Sequence, residues 1–76
     1  MKHEGMIVRN PAIMLGKPCI KGTRITVELI LRKLSEGASI EYLLKGYPHI
    51  TRDQILACID YALAIMINEE VIELSE

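Results

Sequence analysis

The 76-residue chain contains no tryptophan and no phenylalanine, yet half of its residues are hydrophobic. Its core must therefore be built from Ile, Leu, Val, Met and Ala. A chain this short forms one domain and buries only about 60% of its unfolded surface. Self-association or a partner is the expected remedy for so much aliphatic surface. There are two cysteines, Cys19 and Cys58, with no CxxC and no Cys/His ligand spacing. That excludes a sequence-encoded metal or redox motif, and both read as small buried hydrophobes. No cofactor and no metal are expected. Met1-Lys2-His3 is followed by no apolar segment of signal-peptide type. The longest apolar run, Tyr61 to Ile67, is far short of a membrane span. The protein is expected to be soluble and cytoplasmic. Repeats and low-complexity segments are also missing.

Charge is present in both signs but unevenly. The net charge is −1. Residues 1–24 hold five basic side chains (Lys2, Arg9, Lys17, Lys21, Arg24) and one acid, Glu4, whereas residues 25–76 hold four basic and nine acidic. A basic arm thus precedes an acidic body. Such an arm either meets an anion such as nucleic acid, or pairs with an acidic body, its own or another subunit's.

The arm is organised around Gly16-Lys17-Pro18-Cys19-Ile20-Lys21-Gly22-Thr23-Arg24-Ile25. Gly16 and Gly22 mark turns, Pro18 holds Lys17 extended, and Thr23-Arg24-Ile25 leans to β structure. Met1 to Gly5 is expected to be frayed. Met6-Ile7-Val8 is a short strand candidate, and Ala12 to Leu15 a single helical turn. Ile7-Val8 pairs with Cys19-Ile20 or with Arg24-Ile25, within one chain or across two; the residues leave this open.

Three helices follow. Thr26 is the N-cap of the first, which runs from Val27 to about Glu36 on the apolar spacing Val27, Ile30, Leu31, Leu34 and stops at Gly37. Ser39 caps the second, from Ile40 to about Lys45, and Gly46-Tyr47-Pro48 ends it. The third opens with a capping box, Thr51-x-x-Gln54, flanked by the staple pair Ile50 and Ile55. It continues to about Glu70. The chain reads as a single domain, 1–76: a β arm over 1–25, a three-helix body over 26–70 and an acidic–apolar tail over 71–76. The fold class is mainly α, with a short N-terminal β hairpin.

Four functional candidates arise. The short second helix and tight connection to the third fit a helix-turn-helix, so Arg52 and Gln54 could read guanine and adenine edges. The next exposed positions of that helix are taken to be Ala57, Cys58 and Asp60. One Arg beside two Asp is poor material for phosphate attraction, and the competing reading is a packing unit with no DNA role. Next, Ala62 to Ile67 is apolar on every face and must be buried on every face. A small body cannot supply that cover, so a homodimer with Ile59, Leu63, Met66 and Ile67 in its interface is expected. Lys17, Lys21 and Arg24 form a basic loop suited to phosphate or a partner carboxylate, unless Arg24 merely pairs with Glu28. The loop is not a Walker A motif, since Pro18 and Thr23 stand where that motif needs other residues. Finally, catalysis has little to build on. Asp53, Asp60, Glu69 and Glu70 are scattered, His3 and His49 lie in a terminus and a turn, and no serine has a His/Asp pair. No enzymatic activity is expected.

Gly16-Lys17-Pro18, Ile20, Gly22-Thr23-Arg24-Ile25 and Val27 resemble the signature of the DUF433 family. The resemblance continues through Leu34, Gly37-Ala38-Ser39, Leu43-Leu44, Tyr47-Pro48, Thr51 and Ile55, covering roughly Ile7 to Ala64. It implies a homeodomain-like helix-turn-helix body. It also implies an antitoxin beside a PIN-like ribonuclease toxin. Beyond the resemblance, the dimer is expected to bind its own operator DNA, and the chemistry of the residues, not the family, points to the segment from Asn68 to Glu76 for the toxin contact, since its carboxylates suit a basic nuclease groove. The alternative is a dimeric protein-interaction module with no nucleic-acid role.

Overall fold

A computed structural model describes residues 3–74, with side chains described up to residue 68. Two strands, β1 (Ile7–Val8) and β2 (Cys19–Ile20), precede three helices, α1 (Val27–Ser35), α2 (Ile40–Gly46) and α3 (Arg52–Leu74). This is a mainly helical architecture with a two-stranded antiparallel hairpin at the front.

The open question of strand pairing is resolved within the chain. Ile7 faces Ile20 and Val8 faces Cys19. Ile25 and Thr26 lie on the other side of β2, where the Ile20 N–H donates to Ile25 O at 2.9 Å and Cys19 bridges to Thr26. The turn between them is fixed by Thr23, whose hydroxyl donates to Ile20 O at 2.8 Å and accepts from Ile25 N at 3.0 Å. Gly22 sits at φ +81, a conformation that side chains with a Cβ resist. A 3₁₀ turn, Met14–Gly16, crosses the hairpin connection. Met14 and Leu15 there take left-handed φ values of 51° and 57°, with Leu15 almost fully exposed.

The helix ends follow their local chemistry. Thr26 Oγ1 accepts from Leu29 N and Ser39 Oγ from Tyr42 N, both at 3.0 Å. After α1, the Ala38 N–H reaches Lys33 O and the Gly37 N–H reaches Leu34 O. This doubly bonded C-terminal motif needs the left-handed φ of +102 that Gly37 supplies. At α3, Thr51 N donates to Gln54 Oε1 at 2.8 Å while Thr51 Oγ1 accepts from Gln54 N at 3.2 Å. Both halves of the capping box are formed.

The core takes residues from every element but β1: Ile20, Val27, Ile30, Leu43, Ile55 and Cys58, closed by Ile50 ahead of α3. Ile7 of β1 packs against this cluster from outside. Burial pushes the Cys58 thiol up to about 11, so it sits in the core as a neutral hydrophobe.

Four expectations are corrected. The chain is not frayed at residue 3: the His3 side chain is only 8% exposed and its Nδ1 lies 2.5 Å from Asp60 Oδ2. A carboxylate only accepts, so Nδ1 carries the proton. Ala57 and Cys58 are buried, not presented along α3, because that face of the helix packs on the body; for Cys58 this agrees with its reading as a small buried hydrophobe and overturns its placement among the exposed positions. Glu28 pairs with Lys17 at 3.3 Å and Arg32 at 2.8 Å, not with Arg24. Proline-held Lys17 is brought over α1, and Arg32 stands one helical turn away on the same face. Lastly, α3 runs past the expected end near Glu70 to Leu74, so that the helical one of the two conformations open to the tail, helical or extended, is taken there.

Ile55→Ala removes a fully buried side chain and should lower the unfolding free energy by about 2–5 kcal/mol in urea titrations followed by circular dichroism. Arg32 first, and then Lys17, holds the Glu28 carboxyl below the ordinary carboxylate value. Because the folded value is the lower one, this contribution is complete above the unfolded value and fades as pH falls through the folded one. Carboxyl NMR titration should find Glu28 below its ordinary value, and Arg32→Ala should raise it.

Candidate functional site

The sequence-selected residues fall on three surfaces. The first is the start of α3. Arg52 and Gln54 both lie in its first turn, but neither is free. The Arg52 guanidinium is paired with the Glu41 carboxylate of α2, and the Gln54 side chain is taken up by the capping box. The Glu41 carboxyl is held below the usual range by its own backbone N–H and then by the Arg52 charge. Beyond Gln54 the helix turns Ala57 and Cys58 into the core. A helix laid into a DNA groove by this end would present Thr51, Arg52 and Asp53, all exposed, with no net charge among them.

The second surface is the arm. Lys17 is engaged by Glu28. Lys21 and Arg24 are exposed, and among the described residues their side chains make no ion pair. Arg9 donates to Gly16 O at 3.1 Å and thereby braces the hairpin connection. No hydrogen bond or ion pair among the described residues joins the arm cations to Arg52 or Gln54.

The third surface is the distal half of α3. Leu63, Met66 and Ile67 are 50%, 58% and 47% exposed, and Ile59 and Ile65 are also open. Successive residues stand about 100° apart around a helix, so these side chains form two faces. Ile59, Leu63, Met66 and Ile67 make an outer stripe. Tyr61, Ala62 and Ile65 turn toward α1 and, with Pro18, Val27 and Leu31, floor a groove of about 540 Å³. Lys17, Glu28 and Arg32 stand on its rim. Sequence reasoning reached the stripe through its all-round apolar composition. It missed the groove, whose far wall is supplied by α1 and by Pro18 of the arm. The Glu28–Arg32 spacing was the one readable hint of that rim. Of the segment Asn68 to Glu76, expected to meet a toxin, the side chains from residue 69 on lie outside the described residues.

A fourth feature came from no sequence signal. His3, Glu4, Gly5, Ile7, Ala57, Asp60 and Tyr61 line a cavity of about 210 Å³, and His3 Nε2 is buried with no hydrogen-bond partner among the described residues. No serine, threonine or cysteine lines it. Among the described residues, no group of three or more His, Cys, Asp or Glu is placed to hold a metal. Nor is any helix long and apolar enough to cross a membrane.

The chain is similar in structure to a DUF433 member protein from Anabaena variabilis ATCC 29413, with a TM-score of 0.76 and 27% identity over 90% of this chain and 69% of the other. No curated protein matches the chain. The family model that does match, "Protein of unknown function (DUF433)", spans residues 7–62, from β1 through the first half of α3. Hairpin, capped helices and aliphatic core all lie inside that span, and the chain belongs to the DUF433 family.

Proposed function

We propose that the protein is an antitoxin-like binding module that works as a homodimer and neutralises a PIN-like ribonuclease toxin by covering it. The observation that carries this reading is the distal half of α3, apolar on two faces and exposed on both. Five large aliphatic side chains left in water are costly, at about 25 cal/mol for each Å² of apolar surface. One face suits a second copy and the other a partner protein. Exposed apolar surface of this extent is the usual mark of an interaction site. The identity of the partner as a PIN-like ribonuclease rests on the family resemblance alone.

Operator binding is the weaker half of the reading. Lys17, Lys21, Arg24, Arg52 and Gln54 are the residues that would serve it. Arg52 must first give up Glu41, and Gln54 must give up its cap. Lys21 and Arg24 are the side chains best placed for phosphate, which carries affinity but no sequence information. The engagement of Arg52 and Gln54 therefore favours, as a second reading, a dimeric protein-interaction module with no nucleic-acid role.

Sequencing the gene's neighbourhood for a PIN-like ribonuclease, and co-expressing the protein with it, is the direct test. The antitoxin reading expects the two proteins to co-purify and RNA cleavage to stop at stoichiometric ratio, with Leu63→Glu/Met66→Glu abolishing both. A nuclease that elutes alone and stays active, or a gene with no such neighbour, leaves the interaction module. Fluorescence anisotropy on the promoter DNA separates the second point. Arg52→Ala should leave affinity unchanged, whereas a loss of about 1–3 kcal/mol would restore it to base readout.

A further inference from the structure

We infer that the groove between α1 and α3 seats the C-terminal half of α3 from a second copy of the chain, reciprocally, about a two-fold axis. The inference rests on the dimeric part of the reading above and specifies where the second copy sits. It places the subunit contact on the groove side of α3 and leaves the outer stripe of Ile59, Leu63, Met66 and Ile67 for a different protein.

Charge is the first reason. No Lys, Arg or His follows Arg52 in the sequence, and residues 69–76 carry Glu69, Glu70, Glu73 and Glu76. The last turn of α3 accordingly holds no basic residue. The C-terminal end of a helix carries partial negative charge, so carboxylates there are unfavourable and cations from outside are favoured. The groove rim offers Lys17 and Arg32, two exposed cations that share the single carboxylate of Glu28. In sequence, Val71, Ile72 and Leu74 stand among those glutamates, an acidic and apolar composition that complements an apolar floor edged by cations. A helix laid in an apolar groove is a recurrent mode of recognition.

Connectivity is the second reason. Because α3 is one continuous helix from Arg52 to Leu74, its end travels away from the groove that its own middle helps to floor. Only another copy can bring that end back. A two-fold pair does so twice, because each subunit is both groove and insert.

Sedimentation equilibrium on the full chain and on charge-reversed variants tests the seating. Lys17→Glu/Arg32→Glu should weaken the dimer by about tenfold or more, because like charges then face each other across the contact. Glu69→Lys/Glu70→Lys/Glu73→Lys should do the same. Mixed in equal amounts, the two variants should recover a tight heterodimer, since the groove of each then matches the insert of the other. A second pair tests the floor: Ile65→Glu should break the dimer and Leu63→Glu should leave it intact. Unweakened charge variants, a mixture no tighter than its components, or the opposite order of Leu63 and Ile65 would each overturn the groove seating. A wild-type chain that sediments as a monomer would overturn the dimer itself. None of these outcomes depends on the nuclease assay, so the seating and the antitoxin reading stand or fall separately.

Discussion

An aliphatic core with a fixed, small supply of side chains governs the rest of this structure. Ile20, Ile30, Leu43 and Ile55 come from four different elements and meet with essentially no exposed surface. Without tryptophan or phenylalanine, the buried cluster is filled by short aliphatic side chains and Cys58, and Tyr47 and Tyr61 pack only at its edge. The backbones must therefore come close, and the turns that bring them close are built with matching care. Thr23 closes the β2 turn through its hydroxyl, and Gly37 ends α1 in a conformation that most residues resist. Thr26 and Ser39 each cap a helix start, and Thr51 with Gln54 forms the two-way cap of α3. Each such bond is a modest term, about 1 kcal/mol, but a core this small has little stability to spare.

The same limit explains the exposed surface. The body covers α3 through Ile55, Ala57 and Cys58 and has nothing left for Leu63 onward. Two apolar faces therefore emerge from one shortage of covering chain. One is a free stripe. The other is half of a groove whose opposite wall, from α1 and Pro18, carries the Lys17–Glu28–Arg32 cluster. That cluster ties the arm to the body. It does so weakly, because exposed ion pairs contribute at most about 1 kcal/mol, and its cations remain at the groove edge where an acidic segment would meet them. Helix α3 is thus core at one end and exposed apolar surface at the other, with no break between them.

Much of this was legible in the residues because it depends on near neighbours. The capping box at Thr51 and Gln54, the stop at Gly37 and the apolar spacing of α1 are decided within four or five residues of chain. So was the warning that Ala62 to Ile67 needs cover on every side, since it follows from helical periodicity and composition. What was misread involved partners far apart in sequence. Sequence alone puts His3 in a loose terminus, yet its side chain is buried against Asp60, 57 residues away. Helical position alone puts Ala57 and Cys58 on an exposed face, because the angle at which α3 meets the body cannot be read from α3 alone; the small apolar character of Cys58 is what points to its burial. Nearness in sequence points Arg24 to Glu28, while the Val27 N–H, donating to Pro18 O, ties this part of the arm to the start of α1 and Lys17 takes the carboxylate instead.

The sequence by itself determined the element order, the caps, the aliphatic character of the core and the surplus of apolar surface in the third helix, because each follows from backbone hydrogen bonding and side-chain period over a few residues. Only the tertiary structure decided which strand pairs with which, that Arg52 is tied to Glu41, and that α1 and Pro18 join α3 in forming a groove. Those outcomes depend on distances between segments that the chain brings together only when the shared core closes, and no local preference specifies them.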